Sequence, residues 1–374
     1  MSVEVRPDNR ALRSGRRERV LDQMAAHDLD VLVLGRQANI RYVTGAPQLW
    51  VAGTRPFGPS CVLVRTTGAL HLLSTWDEGV PDDIPRENLY GISWNPANTM
   101  AVLQRIDGAA TARRVGTDAL SPAFAQLLPT AFPNAELVDG ELAMRAARRI
   151  KTPEEVVALR EAIAIAESGL AAAVAGLHPG VREQTLAGIM MEAMAAGGVS
   201  TPSNQEFAWV TSPDHPWRRA GGDREGRVHD GDLVAFTSGV LAGGYMGEVG
   251  RTWPADAAAG AAALYGRWDK LWAKLIAACR PGAAAADLLA AYQAAGEPPP
   301  PMPVARGLGM GFDPPVVTQR LPRTAAGERL AAGMVLAVTG YVWEQGVGAV
   351  FGREAVLITA DGPDVLTSSP FWRE

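Results

Sequence analysis

Apolar positions along residues 1–150 repeat in two alternating periods. From about Arg16 to His27 they recur at helical spacing, which predicts an amphipathic helix. Val31–Leu34 is a continuous apolar run and reads as a buried strand, followed by a turn-rich stretch from Asn39 to Pro47. Further apolar strands are predicted at Cys61–Val64 and Ala69–Leu73, so this part is an α/β layer. Asn39, Arg41 and Tyr42 then sit in a loop after a strand, a place where binding residues gather. Near residue 150 the pattern changes. Thr152 can cap a helix, Pro153 suits its first position, and Glu155 completes a capping box. Val156, Leu159, Ile163 and Leu170 follow at helical spacing. A second helix is predicted from about Arg182 to Ala196, and a third through Leu264, Trp268, Leu271 and Leu275. The prolines at 298–301, with Pro303, read as a stiff connector. The chain therefore splits into residues 1–150 and 151–374.

The later part contains an internal echo. Gly231-Asp232-Leu233-Val234-Ala235-Phe236-Thr237 and Gly333-Met334-Val335-Leu336-Ala337-Val338-Thr339 each carry a Gly, an apolar strand and a Thr at one offset. Two such copies imply strands related by a pseudo-twofold. In one sheet they would bring Thr237 and Thr339 to matching positions on a shared concave face. The glycine-rich run Gly307–Gly311 lacks the Lys-Ser/Thr ending of a phosphate loop and reads as a turn of close backbone approach.

Composition narrows the setting. The 374 residues carry 35 Lys plus Arg against 40 Asp plus Glu, a net charge of -5, which does not supply the basic field of a nucleic-acid binder. With 47% apolar residues the chain reads as an ordinary globular protein. Cys61 and Cys279, the two cysteines, cannot build a disulfide framework, and a reducing cytoplasm fits them. No stretch has the length of a membrane span or the core of a signal peptide.

Several motifs resemble one family. Asn39-Ile40-Arg41-Tyr42-Val43-Thr44-Gly45 is similar to the Asn-x-x-Tyr-x-Thr-Gly segment of the creatinase/prolidase N-terminal domain. Arg149-Ile150-Lys151-Thr152-Pro153-Glu154-Glu155 resembles that family's domain junction. Gly231–Gly239, Gly244-Tyr245, Arg251-Thr252, Gly307–Gly311 and Gly333–Val338 match its scaffold motifs in order. The resemblance is to the pita-bread superfamily of creatinase, Xaa-Pro dipeptidases, aminopeptidase P and methionine aminopeptidases. It implies an α/β (α+β) fold, with a creatinase/prolidase-type domain followed by a pita-bread domain of pseudo-twofold symmetry.

The metalloenzymes of the family hold two divalent ions through Asp, Asp, His, Glu and Glu. By the resemblance these positions fall here on Thr237, Glu248, Leu308, Thr339 and Arg353, or Glu354 after a one-residue slip. No histidine follows His229. No metal and no other cofactor are therefore expected. Creatinase, by resemblance, cleaves a C–N bond without metal, using a histidine base and substrate-gripping glutamates; those glutamates fall on Gly250 and Thr339. His215, upstream of the Gly231 strand, is the candidate base, with Glu248 and Glu354 as further catalytic candidates. Thr237, Tyr245, Arg251, Thr339, Trp343, Glu344 and Arg353 are candidate substrate-binding residues, because Arg can clamp a carboxylate, Glu can pair with an amine and Trp can cover an apolar part. The expected function is metal-independent C–N bond chemistry on a small amino-acid-like molecule or peptide. An Xaa-Pro-type metallopeptidase and a catalytically silent binding or scaffold protein are the alternatives. A homodimer is expected from the resemblance.

Overall fold

The computed structural model describes residues 9–46, 58–74, 79–91, 95–118, 120–199, 203, 207–220, 226–320 and 327–373. The chain forms two compact units, Met1–Arg148 and Arg149–Glu374.

The first unit runs α1 (Asn9–Ala26), β1 (Val31–Leu34), α2 (Gln37–Thr44), β2 (Cys61–Val64), β3 (Leu70–Ser74), β4 (Leu89–Gly91), α3 (Pro96–Leu103), β5 (Arg114–Thr117), α4 (Pro122–Ala131), β6 (Glu136–Asp139) and α5 (Glu141–Arg149). Its sheet has the order β4-β3-β2-β1-β5-β6. Strand β1 is buried along its whole length and pairs antiparallel with β2 and parallel with β5. Val31, Val33, Val62, Val64 and Val115 pack under Leu103, Phe124, Leu128 and Phe132, which is why these runs are continuously apolar. Two expectations change. The first helix starts at Asn9, and the segment from Asn39 is helix α2 rather than turns; Pro47 lies outside the described residues. Asn39 is fully buried and bonds across the fold instead of turning its own backbone: its amide donates to Asp118 Oδ2 and Glu141 Oε2, each at 2.8 Å, and Arg148 closes on its carbonyl. The Tyr42 hydroxyl donates to Ala147 O. These residues form a structural joint. Cys61 is buried here, and burial pushes its thiol up to about 12, as expected of an inert core cysteine.

The second unit opens with α6 (Pro153–Ala175), α7 (Glu183–Ala196), β7 (Ala208–Val210), β8 (Leu233–Ala242) and β9 (Tyr245–Pro254). It continues with α8 (Ala261–Ala278), α9 (Asp287–Ala295), β10 (Ala305–Leu308), β11 (Phe312–Val317), β12 (Val335–Glu344), β13 (Gly348–Thr359) and β14 (Gly362–Val365). The capping box forms at Thr152 and Glu155. The sheet order is β11-β10-β12-β13-β9-β8-β7, with β14 beside β13. Both copies of the echo lie in this sheet, as β8 and β12. Each forms a hairpin with the strand that follows it, and the hairpins meet where β13 pairs β9. Among the described residues, the helices lie on one face of the sheet. A Cβ on Gly247 would come within 2.2 Å of the Ala162 backbone, so α6 lies directly on β9. Trp268 of α8 lies over Gly340 and Gly352 in the same way. The other face carries the candidate site. The proline segment joins α9 to β10 without regular structure.

Candidate active site

Successive residues of a strand point to opposite faces, and residues paired directly across strands share one. One row of the sheet reads Thr237, Gly250, Arg353, Thr339 across β8, β9, β13 and β12. The row on one side holds Gly239 opposite Glu248, and Arg306 opposite Ala337. The row on the other side holds Trp209 opposite Ala235, Ala235 opposite Thr252, and Tyr341 opposite Phe351. All of these face away from the helices. A Cβ on Gly250 would lie 2.3 Å from the Phe351 ring and 2.9 Å from the Arg353 Cβ, so a glycine lets both lean across β9.

Glu248 is the centre of the cluster. Its side chain has no solvent exposure, Arg306 Nη2 is ion-paired to its Oε1, and Arg353 Nη1 lies 3.4 Å from its Oε2. Arg353 Nε donates to Thr339 Oγ1 at 3.2 Å, and its guanidinium lies 5.3 Å over the Phe351 ring. Burial pulls the Arg353 guanidinium below its usual range; the Glu248 carboxylate opposes this and Arg306 adds to it. Even so lowered, an arginine stays cationic. Glu248 thus faces two guanidiniums. Arg306 was not singled out in the sequence. The position expected at Leu308 is fully buried in the core, and the group that strand β10 offers to Glu248 is Arg306. A signal existed: an arginine in a short strand of otherwise small or apolar residues.

Four candidates lie on the other face. Arg251 and Glu354 pair at 3.0 Å beneath the C-terminal segment, where Arg251 also donates to Ser369 O and Thr367 bonds Glu354. Burial pushes the Glu354 carboxyl up and Arg251 pulls it back. Tyr245 donates to Glu155 Oε1 at the start of α6, and Glu344 pairs with Arg267 of α8. Each differs in strand parity from the site row, so none of them can join Glu248. Parity also separates Arg353, which faces Glu248, from Glu354, which does not. Thr237, Thr339, Trp343, Arg353 and Glu248 are on the site face.

His215 lies in the loop that leads from β7 and docks over the aromatic row. Trp343 Nε1 donates to Ser212 O at 2.8 Å, the Tyr341 hydroxyl bonds Pro216 O, and the Trp217 and Tyr341 rings are 5.0 Å apart. Within the loop the His215 amide bonds Ser212 Oγ, and Nδ1 accepts the Trp217 N–H at 3.2 Å. A neutral imidazole with Nδ1 accepting carries its proton on Nε2. As placed, His215 presents a proton donor, not a lone pair.

A pair of divalent ions does not fit this donor set. Hard ions need several carboxylate oxygens. Among the described residues no group of three or more His, Cys, Asp or Glu side chains is placed to hold an ion, and Glu248 is taken by two guanidiniums. No described helix is long and apolar enough to cross a membrane.

Comparison with known proteins gives the family. The profile of metallopeptidase family M24 matches residues 157–360, and that of the creatinase/prolidase N-terminal domain matches residues 16–150. The chain is 26% identical over 257 residues to the uncharacterized hydrolase/peptidase y4tL of Sinorhizobium fredii, covering 63% of each protein. It is 23% identical over 252 residues to the creatinase of Bacillus sp. (strain B-0618), covering 63% of this chain and 59% of that one. The chain thus matches about three fifths of the length of these relatives. The prolidase of Pyrococcus horikoshii OT3 has the same fold, with a TM-score of 0.76 at 18% identity over 95% of this chain and 99% of that one.

Proposed function

The chain belongs to metallopeptidase family M24, and from that premise we propose that its crevice works without a metal, on a small amino-acid- or peptide-like molecule, with C–N bond hydrolysis as the reaction class. The observation that carries this reading is Glu248: the carboxylate that would serve an ion is held by Arg306 and Arg353, which supply positive charge of their own. The names of the similar creatinase and prolidase point to C–N bonds of small substrates. In this chain His215 is the residue suited to proton transfer. To act as base on the attacking water, the ring must turn over and give up the Trp217 bond; the imidazolium formed by taking that proton then returns it to the leaving nitrogen as the C–N bond breaks.

A second reading, a binding protein without turnover, draws on the same two features: the engaged Glu248 and the inward lone pair of His215. A third, a metal-dependent Xaa-Pro dipeptidase, draws on the M24 family match, on the prolidase-like fold and on similarity to a putative dipeptidase, and fits the comparisons about as well as the first. A homodimer in the cytoplasm belongs to the first reading, and light scattering of the purified chain tests the assembly. The deciding experiment assays ureido acids, guanidino acids and dipeptides for hydrolysis, with and without chelator, in the unaltered chain and in His215→Ala. Chelator-resistant turnover that falls in His215→Ala supports the reading. Turnover that needs an added ion overturns it in favour of the dipeptidase, and no turnover of any compound favours the binding protein.

A further inference from the structure

We infer that Tyr341 and Trp343 are positioning residues for His215: the two side chains, neighbours on one face of β12, hold the loop backbone on either side of the imidazole and so fix where it stands over the site face. This rests on the reading of His215 as the proton-transfer group and deepens it. Within the loop the histidine is held by local bonds. Its amide donates to Ser212 Oγ at 3.1 Å, its Nδ1 accepts from Trp217 N at 3.2 Å, and its carbonyl accepts from Arg218 N at 3.4 Å. The neck of the loop is closed by the bridge between Thr211 and Arg219, and Ala349 N of β13 donates to Thr211 Oγ1 at 3.0 Å. The tip rests on β12. Ahead of His215, Trp343 Nε1 donates to Ser212 O at 2.8 Å; directly after it, the Tyr341 hydroxyl donates to Pro216 O. The Trp217 ring packs on Tyr341, and Gly346, in the turn that follows β12, donates its N–H to Pro213 O at 2.8 Å. Strand parity explains the pairing. Residues 339, 341 and 343 share one face of β12, so the strand that offers Thr339 to Arg353 also grips the loop. A proton-transfer group on a loop needs such support from a rigid strand, because a misplacement of about 1 Å can cost about a hundredfold in rate. Burial pushes the Tyr341 phenol up, so its hydroxyl keeps its proton and remains a donor. The indole N–H of Trp343 is engaged by Ser212 O, which gives that side chain the task of holding the loop rather than covering a substrate.

The test follows the histidine itself, by NMR of the full chain labelled with ¹³C-histidine, in Tyr341→Phe and Trp343→Phe. Each variant keeps an aromatic ring and removes the group that bonds the loop. The chain has 5 histidines, and the signal lost in His215→Asn assigns His215. Each variant is expected to move the His215 signal and to leave those of His27, His71, His178 and His229 in place. Hydrogen exchange read by mass spectrometry should speed up by at least about threefold over residues 211–220, the scale of one lost hydrogen bond, and stay unchanged in α6 and α8. For a compound that is hydrolysed, both variants should lower kcat with KM little changed. A His215 signal unmoved in either variant overturns the inference for that residue. Exchange that accelerates equally throughout the chain overturns it for both, since the side chains would then serve the core alone, and a rise in KM with kcat unchanged overturns it in favour of substrate binding. Circular dichroism checks folding, and Tyr341→Phe, which removes only the hydroxyl oxygen, decides the matter if Trp343→Phe is unfolded. Turnover that persists in His215→Ala overturns the catalytic reading and leaves the placement of the loop standing; an unmoved His215 signal does the reverse.

Discussion

Glu248 has no exposed side-chain surface and meets two guanidiniums, so its removal takes from both the carboxylate they share. Glu248→Gln should lower stability by about 3–5 kcal/mol, since breaking a buried pair strands the partner charge. Urea unfolding measures this; a loss below about 1 kcal/mol, the scale of an exposed pair, would show that the cluster is not held by charge. Arg306 shows how such a residue escapes sequence reading. The resemblance puts the expected group of β10 at Leu308, two residues along; Arg306 comes beside Glu248 through its pairing opposite Ala337, which only the folded sheet reveals. Arg251, Tyr245, Glu344 and Glu354 escaped in the opposite sense. They are polar, close in sequence to the site and on site strands, yet period-two alternation turns them to the helices. Counting parity from Thr237 through its strand partners would have removed them beforehand.

Among the elements, β9 is the tightest fit. Gly247→Ala should cost about 3 kcal/mol or more through backbone overlap with α6, at the upper end of overpacking effects. A methyl group on Gly188 of α7 would meet no atom within 4 Å, and Gly188→Ala should raise stability by about 0.5–1 kcal/mol through helix propensity. Chemical denaturation of both variants separates a packing cost from a helix gain. In the first unit, Asp30 ties the entry of β1 to β5: its carboxylate accepts from Arg113 N at 2.9 Å and Arg114 N at 3.2 Å and pairs with Arg65. The Arg113 N–H is the main cause of a lowered pKa, partly opposed by burial. With the folded value below the unfolded one, near about 4, the stabilisation is full above the unfolded pKa and is lost as pH falls through the folded one. Asp30→Asn should therefore flatten the acid side of the stability profile, read from melting temperature against pH; an unchanged slope would contradict the assignment. The apolar runs and the capping box at Thr152 were legible because local chemistry dictates them. Helix α2 was not. Its Asn, Thr and Gly favour turns locally, and the bonds that keep Asn39 in a helix come from Asp118, Glu141 and Arg148, far along the chain.

Across the whole molecule, the paired echo of β8 and β12 was the most readable feature, because a duplicated Gly-strand-Thr pattern survives in a sheet whose two hairpins repeat one another. The face that the repeat creates carries Thr237, Thr339, the buried Glu248 carboxylate, Arg306 and Arg353, and the metal-free proposal takes these two arginines as the cations of the site. The most direct measurement is elemental analysis of protein purified without chelator and equilibrated with Mn²⁺, Zn²⁺ and Co²⁺. Side-chain cations in place of ions predict only trace metal and an unchanged melting temperature. One or two tightly bound ions per chain, with a melting temperature that rises on their addition, would contradict it.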